Sequence, residues 1–329
     1  MTTASINYLD PTTVPAGTKP WAKVDAPATS YGIVSRRRSI TSIRDCLTLH
    51  TSSQRGAFGT DIDIAGFAVY TSPSPYYAKY GSAGFTQELD RQIREGYYPE
   101  VEELLRRKLR DGNKIRHVVI FDHTIRRKDP NAPRQPVYRL HVDQTPRSAE
   151  ARVRRHAGKA LGLSEEEVEG LLKRRWQLIN VWRSIGEQPV RDAPLTVVDF
   201  RTVNREKDLV AVNLLYPVRP KDGDDDDDRG KEVLPDLEKL QSTEGYEVKG
   251  ETYAVQPNEE HKFYYLDEMT PEEVMFIKCF DSWGEDQPGG KKGIAGLTPH
   301  TAFLDEMAPE GTKPRESIEV RCLVFYDEY

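Results

Sequence analysis

One stretch places an imidazole and a carboxylate two residues apart: Tyr138-Arg139-Leu140-His141-Val142-Asp143-Gln144-Thr145. Read as a strand, it sends alternate side chains to the same face, so both groups reach toward one metal ion. A third ligand stands far downstream in Pro299-His300-Thr301-Ala302-Phe303, ahead of an alternating strand that runs from Arg315 to Tyr326. Two imidazoles and one carboxylate on one side of a metal leave its other positions open, the arrangement of mononuclear non-haem Fe(II) oxygenases. Each half is weak alone, because His-x-Asp arises by chance and a lone histidine in an apolar strand is more often a core residue. The combination carries the reading.

Longer blocks point the same way: Phe121 to Arg127 (FDHTIRR), Arg139 to Arg155 (RLHVDQTPRSAEARVRR), Ile179-Asn180-Val181-Trp182-Arg183, Tyr264-Tyr265-Leu266, Lys278 to Ser282 and Arg315 to Tyr326. Over residues 60 to 327 the chain resembles the fungal AsaB-like hydroxylase/desaturase family, which includes a gibberellin desaturase and is related to the cephalosporin 7α-hydroxylase component. The resemblance implies a double-stranded β-helix, Fe(II) held by His141, Asp143 and His300, O2, and 2-oxoglutarate as cosubstrate. In such enzymes the cosubstrate chelates iron through its 1-carboxylate and 2-keto oxygens, and its distal carboxylate meets an arginine. A guanidinium suits that task, since its planar fork makes two parallel charge-assisted bonds to a carboxylate. Arg315 is the expected anchor, with Ser317 as a further donor on the same strand face. Arg315 lies fifteen residues after His300, farther than the arginine of many such enzymes, and the loop Asp305 to Pro314 absorbs the difference if its tip is near Ala308. Arg321 shares the face and is the alternative anchor, or else a buried partner of Glu319 or Asp281.

The elements that must position these groups read as mainly β with flanking helices. Strands are expected at Ile64–Ser72, Ile115–Asp122, Val137–Asp143, Trp176–Arg183, Leu195–Phe200, Leu209–Tyr216, Glu251–Val255, Lys262–Leu266 and Val274–Phe280. Repeated short strands separated by turn residues favour a jelly roll over a doubly wound sheet. Thr86 to Arg110 has helical periodicity and reads as two helices parted near Gly96 and Pro99. Ser148–His156 suits a short helix, and Ser164 with Glu167 forms a capping box that opens another. Residues 1 to 30, rich in Thr, Pro, Ala and Ser, read as an extended arm or partly ordered tail. Residues 31 to 329 read as one domain, with a flexible acidic loop over 221 to 231. That run of contiguous Asp lacks the alternating ligands, mid-loop Gly and final Glu of an EF-hand, so a solvated loop is preferred to a Ca²⁺ site.

Composition excludes several classes. A net charge of −6 opposes bulk attraction to nucleic acid. No apolar run reaches the ~20 residues of a membrane span, and Met1 to Lys23 lacks the pattern of a secretory signal. A cytoplasmic protein, monomer or homodimer, is expected. Cys46, Cys279 and Cys322 form neither a C-x-x-C pair nor an even framework and read as free thiols.

Further pocket candidates are polar residues in apolar strands, which must either satisfy backbone groups or face a cavity: Asn180, Arg183 and Arg321, with Tyr138 beside the motif. His50, His117, His123, His156 and His261 lack a ligand partner at useful spacing and read as structural or surface residues. Gly284 to Gly296 reads as a loop that covers the site mouth; it lacks the G-x-x-x-x-G-K-[ST] order of a phosphate loop. Two readings follow, an oxygenase acting on a small natural product and a non-catalytic β-helix module binding a small ligand or a protein partner. Fold alone does not separate them.

Overall fold

Alternating strands must bury one face, and here two curled sheets bury theirs against each other. The computed structural model describes residues 1–46, 57–129, 132, 134–218 and 237–327. Its strands are β1 (Thr2–Leu9), β2 (Trp21–Lys23), β3 (Ile33–Ser42), β4 (Phe67–Thr71), β5 (Ile115–Arg127), β6 (His141–Val142), β7 (Trp176–Ser184), β8 (Leu195–Val198), β9 (Leu209–Pro217), β10 (Tyr246–Val255), β11 (Phe263–Tyr265), β12 (Glu273–Asp281), β13 (His300–Ala302) and β14 (Glu316–Tyr326). The α-helices are α1 (Ile62–Ala65), α2 (Pro75–Tyr80), α3 (Asp90–Lys108), α4 (Pro146–Leu161), α5 (Glu165–Leu172) and α6 (Arg205–Asp208). A nine-stranded sheet has the order β1-β3-β11-β8-β13-β6-β10-β9-β2, and a five-stranded sheet the order β4-β12-β7-β14-β5. This is the expected jelly roll. The acidic run over 221 to 231 and His50 lie outside the described residues. No helix among the described residues is long and apolar enough to cross a membrane.

Parity along β7 and β14 decides which residues look inward. Ile179, Val181, Ile318, Val320 and Cys322 pack outward under Ile93, Tyr97, Val101 and Leu104 of α3. The alternate residues, Asn180, Trp182, Ser317, Glu319 and Arg321, therefore face the other sheet. Between the sheets Trp182, Phe67, Val69, Met275 and Ile277 meet Val197 and Leu266 in a dry core.

Several expectations need correction. Residues 2–9 are no tail: β1 pairs antiparallel with β3 from Thr2↔Ile40 to Leu9↔Ile33 and buries Ala4, Ile6 and Tyr8. The Thr/Ser content hid an alternation whose apolar members fall on every second position. The stretch after Thr86 holds one helix, α3, with Pro99 inside it. Buried Tyr97, Val101, Leu104 and Leu105 on one face hold it against the sheet and offset the bond that proline removes. The strand expected over Val137–Asp143 is regular only at His141–Val142. The loop after β12 packs Ala295 and Leu297 on Val142, the face opposite His141, and none of residues 284–296 lines the cleft beside His141 and Asp143. The Ser164 capping box is present as read, and Cys46, Cys279 and Cys322 are free thiols.

At one end of the five-stranded sheet sits a buried ionic cluster that sequence reading missed. Lys278 Nζ donates to Asp63 at 2.9 Å and to Asp281 at 2.8 Å, and Arg175 Nη2 reaches the same two carboxylates at 3.1 and 3.0 Å. Arg110 Nε adds a third cation, 3.4 Å from Asp63, so each carboxylate is held by at least two cations, as buried charge requires.

Candidate metal centre

The nine-stranded sheet supplies both histidines. In the antiparallel pairing of β6 with β13, His141 and His300 are direct cross-strand partners, and their ring centroids are 4.5 Å apart. Asp143 lies two residues beyond His141, on the same face. Its Oδ1 is 3.4 Å from His141 Nε2 and 3.7 Å from His300 Nε2. The ligand-type atoms of the three residues lie within 4.8 Å of one another.

Backbone carbonyls set the tautomers. His141 Nδ1 is 2.7 Å from the carbonyl of Arg139, and His300 Nδ1 is 3.0 Å from that of Thr298. A carbonyl only accepts, so each Nδ1 carries the proton and each Nε2 turns its lone pair toward Asp143, as metal-ligating histidines require. Burial lowers the His300 pKa, and the neighbouring His141 lowers it further, which keeps the ring neutral. Burial alone would raise the Asp143 carboxyl; its neighbours His141, Arg321 and His300 outweigh it and hold the group well below the usual carboxylate range.

The opposite sheet holds the second carboxylate oxygen. Asn180 Nδ2 donates to Asp143 Oδ2 at 2.7 Å and Arg321 Nε at 3.3 Å. Asn180 and Arg321 face each other across β7 and β14. Arg321 is also bound by Asp122 at 3.0 Å, Thr124 at 2.9 Å and Glu319 at 2.7 Å. A bulge in the β5–β14 register at Arg321/Cys322 sets Asp122 opposite Arg321. Burial would lower the Arg321 pKa, but Asp122, Glu319 and Asp143 raise it well above the usual value. Four of its five N–H donors are engaged in this way, three of the partners being carboxylates, so this guanidinium is the partner of Glu319 that the sequence allowed.

Arg315 is the opposite case. It is 4% exposed, donates through Nη1 to the Ala193 carbonyl at 2.7 Å, and its buried Nε has no partner. Trp182 lies under the guanidinium, 5.6 Å from ring to charge. No carboxylate among the described residues forms an ion pair with it, and burial, aided by Arg126, pushes its pKa down to about 10. Pro194, next to Ala193, accepts from Phe303 N, which ties the segment that holds Arg315 to a point three residues, about 10 Å, beyond His300. Ser317 is buried on the same face, opposite Ser184, whose hydroxyl also lacks a partner. Tyr138 feels Arg315 and Lys128, though burial dominates and raises its pKa.

Arg183 requires correction. It points outward, donating to Tyr97 Oη at 2.8 Å, to Ser72 O at 2.8 Å and to Pro271 O. Asn180 and Arg183 are three residues apart, and a strand sends such residues to opposite faces. Of the other histidines, His261 is buried against Asp208 at 2.9 Å and His123 bonds Tyr98 Oη at 2.9 Å. Asp122, Thr124, Arg126 and Arg139 escaped the sequence reading; only their parity with Arg321 or His141 marked them.

Fold and cluster together define a double-stranded β-helix protein with a two-histidine, one-carboxylate centre on its inner wall. A family model described as an oxidoreductase/YMDC permease-like domain matches residues 6–325. The hydroxylase/desaturase efuI of Hormonema carpetanum is 27% identical over 91% of this chain and 89% of its own length. The hydroxylase/desaturase asaB of Aspergillus flavus is 32% identical over 49% of this chain, which spans 60% of that protein. Among solved structures, the iron and alpha-ketoglutarate-dependent endoperoxidase NvfI superposes with a TM-score of 0.69 at 22% identity, over 99% of this chain and 98% of that one. The chain belongs to this oxidoreductase family, among the fungal hydroxylase/desaturases.

Proposed function

We propose that the protein is an Fe(II)/2-oxoglutarate-dependent dioxygenase that hydroxylates, desaturates or oxidatively cyclises a small secondary metabolite, working in the cytoplasm as a monomer or homodimer. The observation that supports this best is the convergence of His141 Nε2, His300 Nε2 and an ionised Asp143 Oδ1. Neutral imidazoles and a carboxylate with their proton-bearing atoms turned away fit a divalent first-row metal. Bound there, iron supplies O2 activation coupled to oxidative decarboxylation of 2-oxoglutarate, with succinate and CO2 as products. The protein's own residues do the rest. The carbonyls of Arg139 and Thr298 orient the two rings, while Asn180 and Arg321 hold Asp143 by one oxygen and leave the other for metal. Arg315, desolvated and short of a carboxylate, binds the distal carboxylate of the cosubstrate, with Ser317 beside it.

Two variants test the assignment. His300→Ala is expected to lose stoichiometric Fe(II), measured by elemental analysis, together with succinate release; full occupancy and turnover would overturn the ligand set. Arg315→Leu is expected to raise KM for 2-oxoglutarate, since loss of a buried charge-assisted contact costs on the order of 2 to 5 kcal/mol, while Fe(II) affinity stays unchanged. A raised KM in Arg321→Leu with none in Arg315→Leu would move the anchor. Metal binding without any consumption of 2-oxoglutarate would favour the non-catalytic module.

A further inference from the structure

A cleft of about 160 Å³ opens beside His141 and Asp143. Its lining carries six cationic side chains, Lys23, Arg126, Arg134, Arg139, Arg152 and Arg321, against two carboxylates, Asp122 and Asp143. Arg321 already binds both of those carboxylates. Arg139 is the sharpest case: its Nη1 is buried and has no hydrogen-bond partner, and it forms no ion pair among the described residues. It precedes His141 by two positions, on the same face, and its own carbonyl orients the His141 ring. Among the described residues Arg126 donates only to a backbone carbonyl, from Nη1 to Gln135 O at 2.9 Å, and burial lowers its pKa. A buried donor left unpaired forfeits the hydrogen bond it had in water, so the Arg139 guanidinium is set for an anion. The remaining wall combines apolar and aromatic residues, among them Tyr31, Leu214, Tyr216 and Tyr253, with the polar Thr124, Gln144 and Thr252.

We infer that the cleft takes an organic substrate with an apolar body and a carboxylate, and that Arg139 is the residue that binds that carboxylate next to the metal centre. This rests on the oxygenase reading and adds a substrate class to it. Arg315 does not line this cleft, so the cosubstrate and substrate carboxylates have separate anchors. Arg139 thereby selects acids over their neutral analogues and fixes which part of the substrate lies toward iron.

The probe is a matched pair, 4-phenylbutanoate and 4-phenylbutanamide, titrated calorimetrically into protein loaded with Zn(II) and 2-oxoglutarate. The acid is expected to bind about tenfold or more tightly than the amide, as charge-assisted pairing predicts. Arg139→Leu should abolish the difference, and Arg139→Lys should keep part of it, which separates lost charge from lost folding. Affinity of the Arg139→Leu protein for 2-oxoglutarate should stay within about twofold of wild type, a difference well under 1 kcal/mol. Equal binding of acid and amide, or no binding of the acid at millimolar concentration, overturns the proposal. So does a parallel loss of 2-oxoglutarate affinity in Arg139→Leu, which would assign this guanidinium to the cosubstrate. The same titration without metal keeps the two readings apart: an acid preference that persists in a protein whose triad binds no metal would sink the oxygenase reading alone.

Discussion

At the residue scale, the carboxylate of Asp143 joins two tasks, one oxygen facing the histidines and the other held by Asn180 and Arg321. Partners of this kind fix a ligand's orientation, and their loss typically costs about 10–100-fold in metal affinity. Asn180→Leu is therefore expected to weaken Zn(II) binding by about that factor in a competition titration with a chromophoric chelator, with the fold intact by circular dichroism. Unchanged affinity would show that Arg321 alone orients the carboxylate. The pairing of the candidate ligands His141 and Asp143 was legible in the sequence because a strand's period of two makes them neighbours whatever surrounds them. Arg183 was misread because that same period was not applied to it: Asn180 looks in, so Arg183 looks out. Arg139 was passed over because a single arginine in a strand announces nothing until its partners are known.

At the element scale, the carbonyl of Thr298 that orients His300 depends on a close approach by Gly66. That glycine adopts φ +89°, and a Cβ there would collide with Thr298 Oγ1 and the Leu297 carbonyl. It also caps α1, and its own carbonyl accepts from Lys278 N at 2.8 Å. Gly66→Ala combines a disfavoured backbone, about 1–3 kcal/mol, with a clash against the segment leading into β13. Both Tm and metal affinity are expected to fall; a drop in Tm with unaltered metal binding would separate the turn from the site. Arg183→Leu makes the converse prediction. It strips donors from the carbonyls of Ser72 and Pro271, each unpaired acceptor costing about 1–3 kcal/mol, so Tm falls while KM for 2-oxoglutarate does not move. The strands were legible from alternation and turn residues. What was not legible was β1, whose buried positions include Ala4 beside Ile6 and Tyr8, and the continuity of α3 through Pro99, which tertiary packing imposes over local propensity.

At the scale of the whole molecule, the Lys278, Arg175, Asp63 and Asp281 cluster ties α1 to β12 and to the start of β7. Burial would raise both carboxyls, but Lys278 and Arg175 outweigh it and lower them. A carboxyl whose folded pKa lies below its unfolded value, about 3.9, contributes stability that is fully present above that value and is lost as pH falls through the folded one. Lys278→Met removes a cation that both carboxylates share, so the folded pKa values rise and acid unfolding, followed by circular dichroism, should begin at a higher pH than in wild type. Unfolding at the same pH would mean that Arg175, with Arg110 beside Asp63, sustains both carboxylates without Lys278.

The ligands of the candidate metal centre all belong to the nine-stranded sheet and its adjoining loop, whereas the side chains that grip Asp143 from behind come from the five-stranded one. A cation drawn to Asp143 Oδ1 therefore also stiffens a hydrogen-bonded joint between the two walls of the barrel, and the wall that offers no ligand should register its arrival. Amide hydrogen exchange in β7 and β14 is expected to slow when Zn(II) is added, alongside that in β6 and β13. Protection confined to β6 and β13 would mean that the walls respond independently. Slowing in both makes metal loading a signal that crosses the barrel through one carboxylate.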